Sequence, residues 1–339
     1  MDGATRRRKP TIRDIAEVAG VSRGTVSRVL NGGHWVSPDA REAVEKAIRE
    51  TGYTANHHAR SLATGRSNSV AFLLTEPHHL LFEDPTYSLL LRGSAEAVSA
   101  RGQTLVLLAA GSDAEKERVL EYVHAGHVDG VMLISSHEGD PFTQRLVDAQ
   151  APVVCAGLPL GGGAGVPSVG VDEEGSARAV TRHLLDTGRR RIAHIAGPSD
   201  TPGGRFRLAG FRAEMGELID EDLIDAGDFG KASGRDAMER ILARSQDVDA
   251  VFAASDSMAI GAVAALRAAR LTVPGDVAVA GFDDSGVAAE HDPPLTTMRQ
   301  PWARISESMV EMLARVIAGE PGETIVVPTE LIVRASTRA

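Results

Sequence analysis

A chain of 339 residues that is 43% hydrophobic and 24% charged is globular and long enough for more than one domain. A single cysteine excludes a disulfide scaffold, and the absence of any apolar run of membrane-spanning length excludes a transmembrane helix of the usual kind. The net charge of −10 hides a split: residues 1–66 hold twelve Lys and Arg against seven acidic residues, a balance of +5, which leaves −15 on the remainder. A cationic head on an acidic body approaches phosphates with one end.

Within that head, Thr11 is placed to cap a helix, with Asp14 three positions on. Ile12, Ile15, Ala16 and Ala19 recur on one helical face. Gly20 suits a left-handed turn, because no Cβ is there to clash. Ser22 then caps a second helix whose Val26, Val29 and Leu30 turn inward, and Ser37-Pro38 opens a third with Ala40, Val44, Ala47 and Ile48 as its stripe. Gly52 ends it. Two helices across a glycine turn with a third as buttress is the helix-turn-helix arrangement. Asn56 is placed to cap a further short helix running to Ala63, too short to be stable alone. Gly65 to Ser69 is a polar break.

Beyond the break, apolar runs predict strands at Val70–Leu74, Thr104–Ala109, Gly130–Ile134, Val153–Ala156, Ser168–Val171, Ile192–Ala196, Ala250–Ala253 and Val277–Gly281. Helical patterns fall between them, among them Leu89–Ala100, Glu115–Ala125, Gly175–Leu185, Arg207–Met215, Ser233–Arg244 and Met258–Ala269. Unbroken apolar strands alternating with helices indicate parallel sheets covered on both faces, which bind ligands beyond the carboxyl ends of their strands.

Several suggestive patterns lack the context their chemistry needs. Gly20-Val21-Ser22-Arg23-Gly24 matches the G-x-S-x-G elbow, but a helix rather than a strand precedes Ser22. His57-His58 and His78-His79 are adjacent pairs, not i, i+4 ligands on one helical face, so no metal site and no cofactor is expected. The Gly157–Gly165 stretch fails G-x-G-x-x-G and reads as a surface loop. Cys155 sits in a strand-like run as a small buried hydrophobe. Residues 1–9 are charged with no apolar core of a signal peptide, so a cytoplasmic, nucleoid-associated protein is expected.

DIAEVAGVSRGTVSRVLN, followed by VSPDAREAVEKAIRETGYTANHHARSLATGRSNSVAFLL, resembles the lactose repressor/galactose repressor (LacI/GalR) family of bacterial transcription regulators. The resemblance extends over essentially the whole chain. It implies a helix-turn-helix domain over residues 1–54, a hinge helix and linker over 55–66, and an effector-binding and dimerisation domain over 67–339. The last has the α/β two-lobed periplasmic-binding-protein fold of doubly wound parallel sheets, with one lobe near 67–167 plus 299–326 and the other near 168–298 plus 327–339. The implied recognition helix is Ser22–Asn31, with Arg23, Gly24, Thr25, Ser27 and Arg28 toward DNA. Arg23 and Gly24 match the family's variable base-reading pair, and Arg is suited to a bidentate contact with guanine. The DNA-binding set is completed by Thr11, Asn56, His57, Ala59 and Leu62. Leu62 matches a leucine that wedges the minor groove at the operator centre. The family commonly has Pro where Ala55 stands.

For the effector, the resemblance points to Asp84 and Tyr87, Arg207, Phe229, Ser255, Asp283, Gln300 and Trp302. Carboxylates, a guanidinium and aromatics together suit a sugar: planar polar groups fork onto hydroxyls and rings cover its apolar side. Asp256 is read instead as the cap of the helix starting near Met258. The expected protein is therefore a non-enzymatic homodimeric repressor. It binds near-palindromic double-stranded DNA under control of a small effector, a carbohydrate, with no membrane partner. A purine- or phosphoprotein-responsive repressor and a sugar-binding transport component remain as alternatives.

Overall fold

The computed structural model describes residues 10–30, 35–53, 66–160 and 165–338, which divide into two units, Met1–Ser67 and Asn68–Ala339. Asn31, Asn56, His57, Ala59 and Leu62 lie outside the described residues.

The first unit contains helices Ile12–Ala19, Arg23–Leu30 and Pro38–Thr51. Its core is Ile15, Ala16, Val26, Val29, Val44, Ala47 and Tyr53, which includes the inward positions of all three helices. The Asp14 carboxylate accepts from the Thr11 backbone N–H at 2.7 Å and from its hydroxyl at 2.8 Å. Gly20 has φ +67° and Gly52 +65°, left-handed ends that only glycine adopts without strain.

The second unit is built on two six-stranded sheets. Strands β1 (Ser69–Leu74), β2 (Thr104–Ala109), β3 (Gly130–Leu133), β4 (Val153–Ala156) and β5 (Ser168–Val171) belong to the first. Strands β6 (Ile192–Ala196), β7 (Ile224–Ala226), β8 (Ala250–Ala253), β9 (Ala278–Asp283) and β10 (Thr296–Arg299) form most of the second. The chain then returns for β11 (Thr324–Val327) in the first and β12 (Glu330–Ile332) in the second. The orders are β11-β5-β4-β3-β1-β2 and β12-β10-β9-β8-β6-β7, and every pair is parallel except β10 with β12. Along β1 the period of two sends Val70, Phe72 and Leu74 into one core and Ala71 and Leu73 into the other, so helices cover both faces. The second sheet is likewise sandwiched between two cores.

The lobe boundaries differ from those expected. Ser168–Val171 pairs with β4 and with β11, so the first lobe runs on through Val171 instead of ending at 167. Arg299 still pairs with Asp283 in the second sheet, and Val327 pairs with Val171 in the first. The pairing of β5 with β11 joins strands more than 150 residues apart, beyond the reach of local pattern. Among the described residues no helix is long and apolar enough to cross a membrane.

Candidate nucleic-acid interface and effector cleft

In the first unit, the Ser22 hydroxyl accepts from the Thr25 backbone N–H at 3.1 Å and lies 2.9 Å from the Thr25 hydroxyl, so it caps the second helix and no strand precedes it. Val26 and Val29 are buried, and this orients the helix. Ser22, Arg23, Gly24 and Arg28 are thereby exposed, with Thr25 and Ser27 half-buried at the edge of the same helix. Arg28 Nε donates to the Gly24 carbonyl at 3.2 Å, holding the guanidinium along the helix surface. Thr11 is exposed at the start of the preceding helix. A small three-helix core that presents two arginines on one short exposed helix is fitted to lie in a major groove.

In the second unit a cleft of about 1240 Å³ opens beyond the carboxyl ends of the strands. Asp84, Tyr87, Arg207, Phe229, Asp283, Gln300 and Trp302 all line it. Ser255 does not. Its hydroxyl donates to the Phe229 carbonyl at 2.8 Å and accepts from the Met258 N–H at 3.1 Å, so it is the cap of helix Asp256–Ala268, the role expected of Asp256. Asp256 instead accepts from the Thr297 hydroxyl at 2.6 Å and the Ser285 N–H at 3.0 Å. Burial and the neighbouring Asp283 push its pKa up to about 8.

Arg207 lies at the bottom of the cleft on helix Pro202–Met215, 5% exposed. It donates to Glu173 at 2.7 and 3.2 Å, to the Ala254 carbonyl at 2.5 Å and to Asp283 at 3.4 Å. Its guanidinium carbon stands 3.7 Å from the centroid of Phe282 and 5.9 Å from that of Phe229. Asp283, at the end of β9 with φ +105°, accepts from Gln300 Nε2 at 2.8 Å, and its carbonyl accepts from Trp302 Nε1 at 3.1 Å. Burial raises its pKa to about 6 against the pull of Arg207. Phe229 also has positive φ, +70°, and its ring lies so close over Gly197 that a Cβ there would come within 2.3 Å of ring carbons. Asp84 caps helix Pro85–Ala100 through the Thr86 N–H at 2.9 Å; burial outweighs that bond and raises its pKa.

Among the lining residues outside the expected set are Glu76 after β1, His137 after β3, Glu173, and the exposed Lys231 and Arg235. His137 Nε2 lies 2.9 Å from Glu76, and its Nδ1 lies 2.8 Å from Asp200 on the opposite lobe. Next to it the Glu138 N–H donates to the Asp200 carbonyl at 2.8 Å, and the Glu138 carboxylate takes both ends of the Arg205 guanidinium. No local pattern announces these residues, because their partners are distant in sequence: Glu76 meets Ser135 and His137, Glu173 meets Arg207, and the Asp200 bound by His137 comes from the other lobe. Glu173 stands within the first turn of its helix, where an acidic residue is ordinary. Cys155 is buried, and burial pushes its thiol up to about 12, as suits an inert core residue. Among the described residues there is no group of three or more metal-ligating side chains.

A helix-turn-helix unit followed by a two-lobed α/β unit with a polar and aromatic cleft defines a ligand-responsive DNA-binding regulator. Residues 11–56 match the family described as bacterial regulatory proteins, lacI family, and residues 181–337 match a periplasmic binding protein-like domain. The chain belongs to the lacI family; it is a transcription regulator and not an enzyme. It is 46% identical over 341 residues to the HTH-type transcriptional regulator CelR of Thermobifida fusca, covering 98% of this chain and 99% of that one. It is 35% identical over 311 residues to the ribose operon repressor of Escherichia coli K12, covering 89% and 92%. Among solved structures, a transcriptional regulator CelR-cellobiose complex is 43% identical with a TM-score of 0.77, covering 97% of this chain and 100% of that one. The lac repressor dimer bound to operator and the anti-inducer ONPF is 27% identical with a TM-score of 0.87, covering 98% and 100%.

Proposed function

We propose that this chain is a dimeric repressor whose operator affinity is set by a saccharide held between its lobes, with cellobiose as the first ligand to test. The observation that carries the reading is the convergence of Asp84, Tyr87, Arg207, Phe229, Asp283, Gln300 and Trp302 on one cleft. Its volume of about 1240 Å³ leaves room for more than a single sugar ring. The 46% identity to CelR, and the cellobiose in the CelR complex, support that choice.

In this reading residues 1–54 read the operator, 55–66 form the hinge, and the remainder senses the effector in the cytoplasm, at the nucleoid. Arg23 and Arg28 contact DNA from the exposed side of their helix, Thr11, Ser22, Gly24, Thr25 and Ser27 flank them, and Asn31, Asn56, His57, Ala59 and Leu62 complete the contact by resemblance. Saccharide binding biases lobe closure and through it the pairing of two hinges, a coupling of about 1–3 kcal/mol on the usual scale. Gel shift of the purified chain on palindromes from its own promoter region, with and without cellobiose, tests this. A change of affinity in either direction supports the reading. Binding that cellobiose and related β-linked disaccharides leave untouched refutes it.

A further inference from the structure

We propose that the cleft selects an uncharged saccharide and rejects its phosphorylated form, with Glu76 as the residue that enforces the rejection. The inference rests on the saccharide reading above and concerns charge, which that reading leaves open.

The cleft holds one buried guanidinium, Arg207, among the described residues lining it. Glu173 and Asp283 already neutralise that group, and the Ala254 carbonyl takes a further donor. Arg207 is therefore able to offer an N–H to a hydroxyl but has no spare positive charge for a phosphate. Asp84 adds a further half-buried carboxylate that caps a helix and meets no base within salt-bridge range among the described residues. Glu76 completes the set. It is only 8% exposed, and it is pinned in place by the Ser135 hydroxyl and by His137. Burial would protonate it, but the bonds from His137 and Ser135 prevail and hold its pKa below the usual range. His137 is itself cationic, but it stands between two carboxylates, Glu76 and Asp200, so the cluster keeps one net negative charge, and both ring nitrogens are already taken.

A hydroxyl-rich neutral ring meets this surface well, because a fixed carboxylate accepts from adjacent hydroxyls. A phosphate brings nearly two negative charges against carboxylates, and buried ones such as Glu76 and Asp283 are screened less than surface charges, so like charges are disfavoured there. Lys231 and Arg235 also line the cleft, both at exposed positions, but eight carboxylates face these two cations and Arg207, so the balance is still the opposite of a phosphate site, which collects unpaired Arg or Lys. The signal carried by such an effector ends on any reaction that phosphorylates it, so a sugar kinase or a phosphorylating importer would silence this regulator.

The test is calorimetric titration of the full chain with cellobiose, cellobiose 6-phosphate, glucose 6-phosphate and inorganic phosphate. Cellobiose is expected to bind at least a hundredfold more tightly than each phosphorylated compound. Glu76→Gln should narrow that ratio at least tenfold, and Glu76→Asp, which keeps the charge, should largely preserve it. A merely structural role for Glu76 would not move the ratio. Equal or tighter binding of cellobiose 6-phosphate overturns the charge selection and leaves the saccharide reading standing. Binding of neither sugar form removes both. Should Glu76→Gln fail to fold, the wild-type ratio alone decides.

Discussion

Replacing His137 by Gln should change how the stability of the chain depends on pH. The imidazole is held between Glu76 and Asp200, at 2.9 and 2.8 Å. The hydrogen bond to Glu76, then that to Asp200, lift its pKa from 6.5 to about 9 in spite of partial burial. The whole rise would correspond to about 3 kcal/mol at about 1.4 kcal/mol per pH unit. Asp200 is 52% exposed and His137 28%, so solvent screening reduces the figure to about 1 kcal/mol. The folded-state pKa is the higher one. The stabilisation is therefore complete below about pH 6.5, fades as pH rises, and is gone once pH passes about 9. The assay is thermal unfolding of wild type and His137→Gln at about pH 6 and about pH 9.5, bracketing that interval. Groups common to both chains cancel in the difference. Wild type should lose about 1 kcal/mol more than the variant across the interval, roughly 2–4 °C for a domain of this size. Parallel pH profiles would show that His137 carries no charge in the folded chain and that its pairing with Glu76 and Asp200 adds no stability.

Gly197→Ala should lower saccharide affinity at least tenfold in calorimetry, because its Cβ would displace the Phe229 ring, while operator binding without ligand persists; unchanged affinity would remove Phe229 from the ligand. Arg23→Ala should cost about 1–3 kcal/mol on the preferred operator and little on other DNA, measured by fluorescence anisotropy, and equal losses on all sequences would make it a phosphate contact. Arg28→Ala is expected to give that uniform loss and to reduce the salt slope by about 1. His194 is fully buried against Phe211 and Phe252, and burial drives its pKa down to about 3. Its sign is opposite to that of His137: stability is full above pH 6.5 and is lost as pH falls toward 3. Between pH 7 and 4.5, wild type should lose about 2–3 kcal/mol more than His194→Leu in urea unfolding, and an equal loss would mean that the ring is charged in the fold.

The parts of this fold that could be read from sequence are those written in local chemistry. The eight apolar runs each become a strand, because parallel strands covered on both faces need an uninterrupted apolar sequence. Strands β7, β10, β11 and β12 escaped notice: Ile224-Asp225-Ala226 and Glu330-Leu331-Ile332 are three residues long and sit at sheet edges, where one polar side is tolerated. Helix starts were placed late wherever Pro or a capping residue began the helix before its apolar stripe, as at Pro85 and Pro202. Ser255 takes the capping role expected of Asp256 for a related reason. Either side chain suits a cap, and only the Phe229 carbonyl, contributed by a distant loop, decides which one serves. The cleft residues that were foreseen came through resemblance at strand ends. Glu76 and His137 meet only when β1 and β3 lie side by side, and the Asp200 that completes their cluster comes from the other lobe.

Two separate ties now join the lobes across the cleft, and they differ in kind. At the back, the chain crosses from Asp283 to the helix Trp302–Ile317, whose Ile305 and Met309 are buried in the first lobe's core. The carbonyl of Asp283 takes Trp302 Nε1 and its carboxylate takes Gln300, so a ligand that engages Asp283 pulls directly on this crossing. At the front, His137 and Glu138 hold Asp200 and Arg205 through exposed ion pairs. The buried tie is the more costly of the two to break, because it would leave buried polar groups unpaired. The front tie is worth about 1 kcal/mol, comparable to the 1–3 kcal/mol of a typical allosteric coupling, and so is able to open and close with ligand occupancy. Glu76 joins the front tie to the cleft, since it lines the cleft and holds His137. Under the saccharide reading proposed above, a hydroxyl that draws on Glu76 would weaken its bond to His137, and that loss would be the physical link between a neutral ligand and a change of shape.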